Sequence, residues 1–385
     1  MGKGSRKHLI MVINEDRFFL SHRSRIAEKA MEKGWDVTLI AKNTGRKNEV
    51  EEMGIRYIEL PINPLGRNPK EEFNQYKFLS RIIKDNPESI YQFVGLKNML
   101  WGGLASRNKK TGGRVFAISG LGTLFGEESN KLLSFLIQKL LKRGIRNKGN
   151  NVLIFQNHED EELFRHAGIS EKAKVEFIKG SGVDLKKFTP KREQKNNKKV
   201  KIVFTGRLIK EKGVEDLLEG AEILKERYEN KIQFIICGGL SEHPKGLHKS
   251  TKNRLNQGDY VVWKGHCTNI PEILTESDIM CFPSYYREGV PKSLIEASAC
   301  GLPIITTDSI GCKDTVKEGL NGLIIPPRSP KKLADALEIL INNPQLREKM
   351  GSESRKLAEK EYDVEEVASR HLEIFEYLWR NSQEQ

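Results

Sequence analysis

Two carboxylates stand with seven residues between them in the run Glu288-Gly289-Val290-Pro291-Lys292-Ser293-Leu294-Ile295-Glu296. A short apolar segment, Ile279 to Phe282, comes just before and closes on Pro283-Ser284. A helical pattern follows and ends at Cys300-Gly301. The chain there reads strand, turn, helix, with one carboxylate in the turn and one in the helix. Pro291 suits the first helical position, where a missing amide hydrogen costs nothing. The amides of Gly289, Val290 and their neighbours then point out of a helix start, whose partial positive charge favours phosphate. Helical side chains lean toward the N-terminus, so Glu296, about a turn and a half in, comes back toward that end. An anion site beside two hydrogen-bond acceptors is the chemistry a phosphorylated sugar requires. Two glutamates at this spacing also arise as plain surface charges, and the pair alone does not choose.

The elements that position them alternate along the whole chain. Leu9 to Asn14, Val37 to Ala41, Ile55 to Leu60, Ser89 to Val94, Val115 to Ser119 and Val152 to Gln156 are short apolar runs. Helical stretches such as Ser21 to Lys33 and Glu72 to Lys84 lie between them, and a second alternating set begins at Val200. This pattern predicts parallel sheets with helices on both faces. A length of 385 residues accommodates two such domains. The lysine-rich break at Lys191 to Lys199 reads as their linker. The α/β chain is thus expected to form two Rossmann-like, doubly wound domains, 1–190 and 191–362, facing a cleft lined by strand C-terminal ends. The tail from Asp363 to Trp379 carries Val364, Val367, His371, Ile374, Phe375 and Leu378 on one helical stripe.

Composition sets further bounds. With 37% apolar and 30% charged residues the chain reads as globular, and no run approaches a membrane span. The basic start is followed only by Leu9 to Ile13, too short for a signal peptide, so a cytoplasmic location is expected. Five cysteines, odd in number and without metal-ligand spacing, read as reduced thiols. A net charge of +13 favours anionic partners. No nucleic-acid-binding signature is evident, so no nucleic acid is expected among them.

More motifs follow in order. Phe204-Thr205-Gly206-Arg207 ends a strand and Lys212-Gly213 comes soon after. Ile235-Ile236-Cys237-Gly238-Gly239 ends the next strand. Gly301-Leu302-Pro303-Ile304 and Glu318-Gly319-Leu320-Asn321-Gly322 come later. Together with the glutamate pair these resemble the signature of the family 4 glycosyltransferases, which have the two-domain GT-B fold, over most of residues 199 to 330. The resemblance implies that Arg207 and Lys212 grip the donor diphosphate. Fixed cations there offset the charge that grows on a leaving nucleoside diphosphate, without a metal. It also implies that Glu288 binds hydroxyls of the transferred sugar and Glu296 the ribose. Gly289, Val290 and Lys292 would contact phosphate and sugar. The segment holding Trp263 and His266 would meet the base, although His266 also reads as a solvated loop residue. Gly238 and Gly239 end a strand where a side chain would block a ligand, or simply make a tight turn. The chain has no Asp-x-Asp pair, so neither metal nor cofactor is implied. The family's last helix crosses back onto the first domain, which here would be 363–385.

The first domain departs from the common pattern. Asn14-Glu15-Asp16-Arg17 stands where many members have a glycine-rich loop. Ala117-Ile118-Ser119-Gly120-Leu121-Gly122-Thr123 stands where many have a histidine. The Gly120-Leu121-Gly122 turn and Gly238-Gly239-x-x-Glu242-x-Pro244 resemble a narrower subgroup. That subgroup extends sugars on undecaprenyl diphosphate and includes bacterial N-acetylgalactosaminyltransferases. The implied reaction is a retaining transfer from a UDP-sugar to a polyprenyl-diphosphate-linked saccharide at the inner face of the cell membrane. In a front-face mechanism the departing phosphate oxygen takes the acceptor's proton, so the missing histidine is tolerable. Residues 131–148 mix leucines with Lys131, Lys139, Lys142, Arg143, Arg146 and Lys148 and hold no acid. That suits a peripheral contact with anionic lipid, or an ordinary helix with its apolar face in the core. Ser21-His22-Arg23-Ser24-Arg25 offers cations to an acceptor diphosphate or to solvent. Three rivals remain open: a family 4 enzyme with another donor or a soluble acceptor, a GT-B nucleotide-sugar epimerase, and a non-catalytic binder of anionic lipid or nucleic acid.

Overall fold

The computed structural model describes residues 6–61, 68–121, 131–146, 150–171, 173–190, 199–240, 246–247 and 249–384. They divide into two compact units. One runs to Ser181 and resumes at Val364, and the other is Gly182–Asp363. The boundary is therefore at 181/182 rather than 190/191. Val183 donates its amide to the Tyr362 carbonyl at 2.7 Å, and Val183 and Phe188 are buried in the second unit's core. Most of the lysine-rich stretch, together with Gly122, Glu242, Pro244 and Lys148, lies outside the described residues.

The first unit runs β1 (His8–Glu15), α1 (Asp16–His22), α2 (Ser24–Glu32), β2 (Asp36–Lys42), α3 (Lys47–Glu52), β3 (Arg56–Glu59), α4 (Pro69–Asp85), β4 (Ile90–Val94), α5 (Leu96–Ser106), β5 (Gly113–Ala117), α6 (Lys131–Ile145), β6 (Asn151–Phe155), α7 (His158–His166) and β7 (Lys174–Phe177). Its parallel sheet has the order β3-β2-β1-β4-β5-β6-β7. Every residue of β4, β5 and β6 is buried, as helices on both faces require. Alternate residues serve opposite cores. Leu9, Met11 and Ile13 face one, and Ile10 and Val12 the other. The run from Ser21 to Lys33 is not one helix. It breaks at Arg23, whose φ of −136° separates α1 from α2 and whose side chain turns inward to 3% exposure. The acidic cluster after Asn157 opens α7, and the Asn157 side chain caps it by accepting the Asp160 amide at 2.8 Å.

The second unit runs β8 (Val200–Thr205), α8 (Val214–Tyr228), β9 (Ile232–Cys237), α9 (Lys249–Asn253), β10 (Val261–Trp263), α10 (Ile270–Thr275), β11 (Ile279–Phe282), α11 (Lys292–Ala299), β12 (Ile304–Thr307), β13 (Gly322–Ile325), α12 (Pro330–Asn342) and α13 (Pro344–Glu361). Its parallel sheet has the order β10-β9-β8-β11-β12-β13. The last helix, α14 (Val364–Gln383), belongs to the first unit. Val367, Ile374, Phe375, Leu378 and Trp379 enter that unit's core. Glu365 pairs with Arg25 at 2.5 Å, and Glu376 with Lys7 at 2.7 Å. Four of the five cysteines are buried and all are free thiols.

Candidate functional site

In an open parallel sheet, ligands bind beyond the strand C-terminal ends where the strand order reverses. In the second unit that point lies between β8 and β11, which pair Ile202 with Ile279 and Val203 with Met280. Two loops meet there. After β8, Gly206-Arg207 leads into a tight 3₁₀ turn at Lys210–Lys212. After β11, Pro283 to Pro291 leads to α11. Gly213 lets them touch. Its φ is +74°, and a Cβ on it would lie 2.0 Å from the Pro283 carbonyl oxygen. The Glu211 carbonyl then accepts from the Tyr285 amide at 2.9 Å, the Tyr286 amide at 3.1 Å and the Ser284 hydroxyl at 3.2 Å.

This staple delivers Lys212 to Glu288. The ammonium pairs with Glu288 Oε1, and the single Ser284 hydroxyl proton is shared between this oxygen, at 3.3 Å, and the Glu211 carbonyl. Lys212 lies 4.8 Å from the centre of the Phe282 ring. Both partners are sheltered, with 8% and 17% of their side chains exposed. Arg207, on the neighbouring loop, is exposed. The structure thus brings Lys212 and Glu288 together as a preformed ion pair, with Gly206 and Arg207 at the exit of the adjoining strand.

Glu296 sits inside α11. The residue keeps some exposure, but its carboxyl is pushed up to about 7. Desolvation dominates, and Lys292 and Lys187 pull the other way. Pro291 is the residue before the helix rather than its first member. Its ψ is 122°, and its carbonyl accepts the Leu294 amide at 3.1 Å. The helix start has no side-chain cap. Gly289 and Val290 are buried in the turn just before it.

The raised Glu296 pKa has a measurable sign. Between its ordinary value of 4.5 and about 7, the folded protein keeps a proton that the unfolded chain has released. Wild-type stability should therefore fall through that window and level off above it, by no more than about 3 kcal/mol. Glu296→Gln has no such proton. Its melting temperature should gain on the wild type as pH rises from about 4.5 to 7 and gain nothing further beyond. A gap independent of pH would mean the carboxyl ionises in place at no cost.

The other side of β8 carries the remaining second-unit residues. Gly238 must be glycine because the backbone of Gly206 crosses it. A Cβ there would lie 1.9 Å from the Gly206 carbonyl oxygen. The close approach is to the protein's own chain, whereas a Cβ on Gly239 would meet nothing nearer than His266 Cβ at 3.9 Å. The Trp263 indole N–H is spent on the Gly238 carbonyl at 2.9 Å. Trp263 therefore braces this strand end. His266 is exposed on the adjoining loop.

In the first unit the order reverses between β1 and β4. Gly120 lies beyond the end of β5 with φ 105°, Leu121 is buried, and Gly122 lies outside the described residues. The reversal itself carries a chain of side-chain amides of which the sequence pattern singles out only Asn14. Asn98 Nδ2 donates to Asn14 Oδ1 at 2.8 Å, and Gln75 donates to Asn98 Oδ1 at 3.1 Å. Asn14 ends the first strand run, which was the available signal. Asn98 and Gln75 sit in helices and carry none. In the second unit Ser284 and Arg328 were also missed. Arg328 lies 4.6 Å over the Tyr285 ring with φ 54°. Among the described residues no three His, Cys, Asp or Glu side chains are grouped to hold a metal ion.

Comparison with known proteins adds a second line of observation. Residues 8–157 match the family described as glycosyl transferase 4-like, and residues 186–357 match glycosyl transferases group 1. The chain is 27% identical to an N,N'-diacetylbacillosaminyl-diphospho-undecaprenol alpha-1,3-N-acetylgalactosaminyltransferase of Campylobacter jejuni, over 94% of this chain and 99% of that one. It is 26% identical to a putative glycosyltransferase of Bacillus subtilis, over 84% and 85%. Among solved structures, the fold is shared with sucrose-phosphate synthase of Thermosynechococcus elongatus. The TM-score is 0.78 at 20% identity, covering 98% of this chain and 100% of that one. It is also shared with an Anabaena protein solved with UDP and glucose, at TM-score 0.76 and 16% identity, over 96% and 100%.

Proposed function

Since the chain belongs to the glycosyltransferases, with a 4-like domain in its first half and a group 1 domain in its second, we propose that it moves an N-acetylhexosamine, such as N-acetylgalactosamine, from a UDP-sugar to a polyprenyl-diphosphate-linked saccharide, with retention at the anomeric carbon. The observation that carries the donor half is the sheltered Lys212–Glu288 pair at the β8–β11 reversal. It sets a fixed cation and a hydrogen-bond acceptor side by side, as a sugar diphosphate needs. The acceptor half is supported by likeness to the Campylobacter enzyme along both domains rather than the second alone. The assembly of a surface or protein-linked glycan is the corresponding process. Contact with the inner face of the cell membrane through 131–148 is part of this reading.

In this reading Lys212 and Arg207 offset the charge that develops on the departing diphosphate. Glu288 accepts hydrogen bonds from hydroxyls of the transferred sugar, and Glu296 from the ribose. The acceptor hydroxyl forms its bond to the anomeric carbon on the face that the diphosphate leaves. Its proton passes to the departing phosphate oxygen, so no side-chain base is required.

The test is a panel of UDP-sugars with and without a short-chain prenyl-diphosphate saccharide. Product stereochemistry is read by NMR. An acceptor-dependent α-linked product supports the proposal. Interconversion of UDP-sugars without acceptor would identify an epimerase, and transfer only to soluble sugars would remove the lipid carrier. Arg207→Ala should weaken UDP binding by roughly tenfold or more in calorimetry, because a charge-assisted contact is lost. EDTA should leave turnover largely intact. Loss with EDTA and recovery with manganese would refute the metal-free part.

A further inference from the structure

Helix α6 shows two different outward faces along its length. Its inner line is Ser134, Leu141, Gly144 and Ile145, all buried. At Gly144 the helix closes on α5, where an added Cβ would lie 2.9 Å from the Gly103 carbonyl carbon. The outward line, at three- and four-residue spacing, reads Leu132, Leu136, Lys139 and Arg143, while Arg146, just past the helix, pairs with Glu171 at 3.3 Å. Leu132 and Leu136 are 78% and 52% exposed, and Leu133 and Phe135 beside them 42% and 54%. The first two turns therefore present large apolar side chains to solvent and the last two present cations. Lys139 marks the border, its ammonium 4.4 Å from the Phe135 ring. No residue of α6 is acidic. A scattered exposed leucine needs no explanation, but four large apolar side chains within two turns do.

We propose that α6 enters an anionic bilayer obliquely, with its first two turns among the acyl chains and Lys139 and Arg143 at the headgroup phosphates. This deepens the membrane part of the reading above and rests on it only for its purpose. A helix lying flat would carry its apolar and basic residues on opposite faces along its whole length. Here the outward face changes from apolar to basic along the axis, which calls for depth that changes along the axis too. The exposed cations that follow directly on the apolar turns fit lipid phosphate as the occupant, since a second copy of this face, which holds no acid, offers them no counter-charge.

The test is flotation of the full chain with vesicles of phosphatidylglycerol and phosphatidylethanolamine. Wild type should stay bound at about 0.5 M NaCl, where charge attraction is screened within a few Å. Leu132→Ser/Phe135→Ser/Leu136→Ser should lower partitioning by about a hundredfold and release the protein in salt. Lys139→Gln/Arg143→Gln should bind less at low salt and like wild type at high salt. All these side chains are exposed, so melting temperatures should hold; if the triple variant melts early, Leu132→Ser alone is read instead. For depth, Leu132→Trp should be quenched by lipids brominated on the acyl chain much more than Arg143→Trp. Wild-type-like binding by the triple variant would overturn insertion, and equal quenching at the two tryptophans would overturn the tilt. A dimer in light scattering that the triple variant dissociates, without vesicle binding, would assign the face to a second copy. Transfer to a water-soluble acceptor is followed in the same preparations. Lost vesicle binding with intact transfer leaves the enzymatic reading standing, and absent transfer in every preparation counts against that reading alone.

Discussion

Glu288→Gln should lower turnover by at least about a hundredfold, which corresponds to roughly 3 kcal/mol of transition-state stabilisation. The substitution keeps shape and removes charge. In the folded protein Glu288 Oε1 already receives the Lys212 ammonium and a share of the Ser284 hydroxyl proton. Its second oxygen remains for a sugar hydroxyl, and the negative charge strengthens that contact as the anomeric carbon becomes positive. A neutral amide offers a weaker acceptor and places a donor where an acceptor is needed. Initial-rate kinetics on acceptor-dependent transfer decide the matter, with circular dichroism as the check on folding. A kcat within a few-fold of wild type would remove Glu288 from the catalytic site.

Lys212→Ala should abolish detectable transfer and also lower stability. The side chain is sheltered, and removing it leaves the Glu288 carboxylate partly buried without its counter-ion. Breaking one side of a buried pair costs about 3 kcal/mol or more, and less here because Glu288 keeps some solvent. The double variant Lys212→Ala/Glu288→Gln separates the two effects. It should regain much of the lost melting temperature, since no stranded charge remains, while staying inactive. Recovery of transfer along with stability would mean that Lys212 serves the fold and not the donor.

The sequence made the two-sheet plan readable because fully buried strands such as Ile90–Val94 and Ile279–Phe282 are short unbroken apolar runs between helical patterns. It also offered Lys212 and Glu288 as separate candidates. Their pairing was not readable, since it follows from β8 lying beside β11 across 76 positions of chain. Trp263 was read as part of the segment that would meet the base, and its indole's commitment to Gly238 depends on backbone geometry that composition does not encode. The break at Arg23 was hidden for a similar reason. Periodicity treats an arginine as outward, and this one turns in. In α6 the period alone could not say which apolar line faces the core, because leucines occupy both sides of the helix.

The first unit's use of α14 constrains the order in which the protein can mature. Synthesis delivers β1 through β7, then the entire second unit, and only then Val367, Ile374, Phe375, Leu378 and Trp379. Until those residues leave the ribosome, the surface around Trp35, which meets Phe375 and Trp379 at 6.2 and 5.9 Å, has no cover. The unit made first is thus the unit finished last, and the later-made one can close on its own beforehand. Nascent chains here reverse the usual N-terminal-first sequence of domain completion. They pass through a stage in which an apolar flank of the N-terminal half must be shielded by chaperones or risk association.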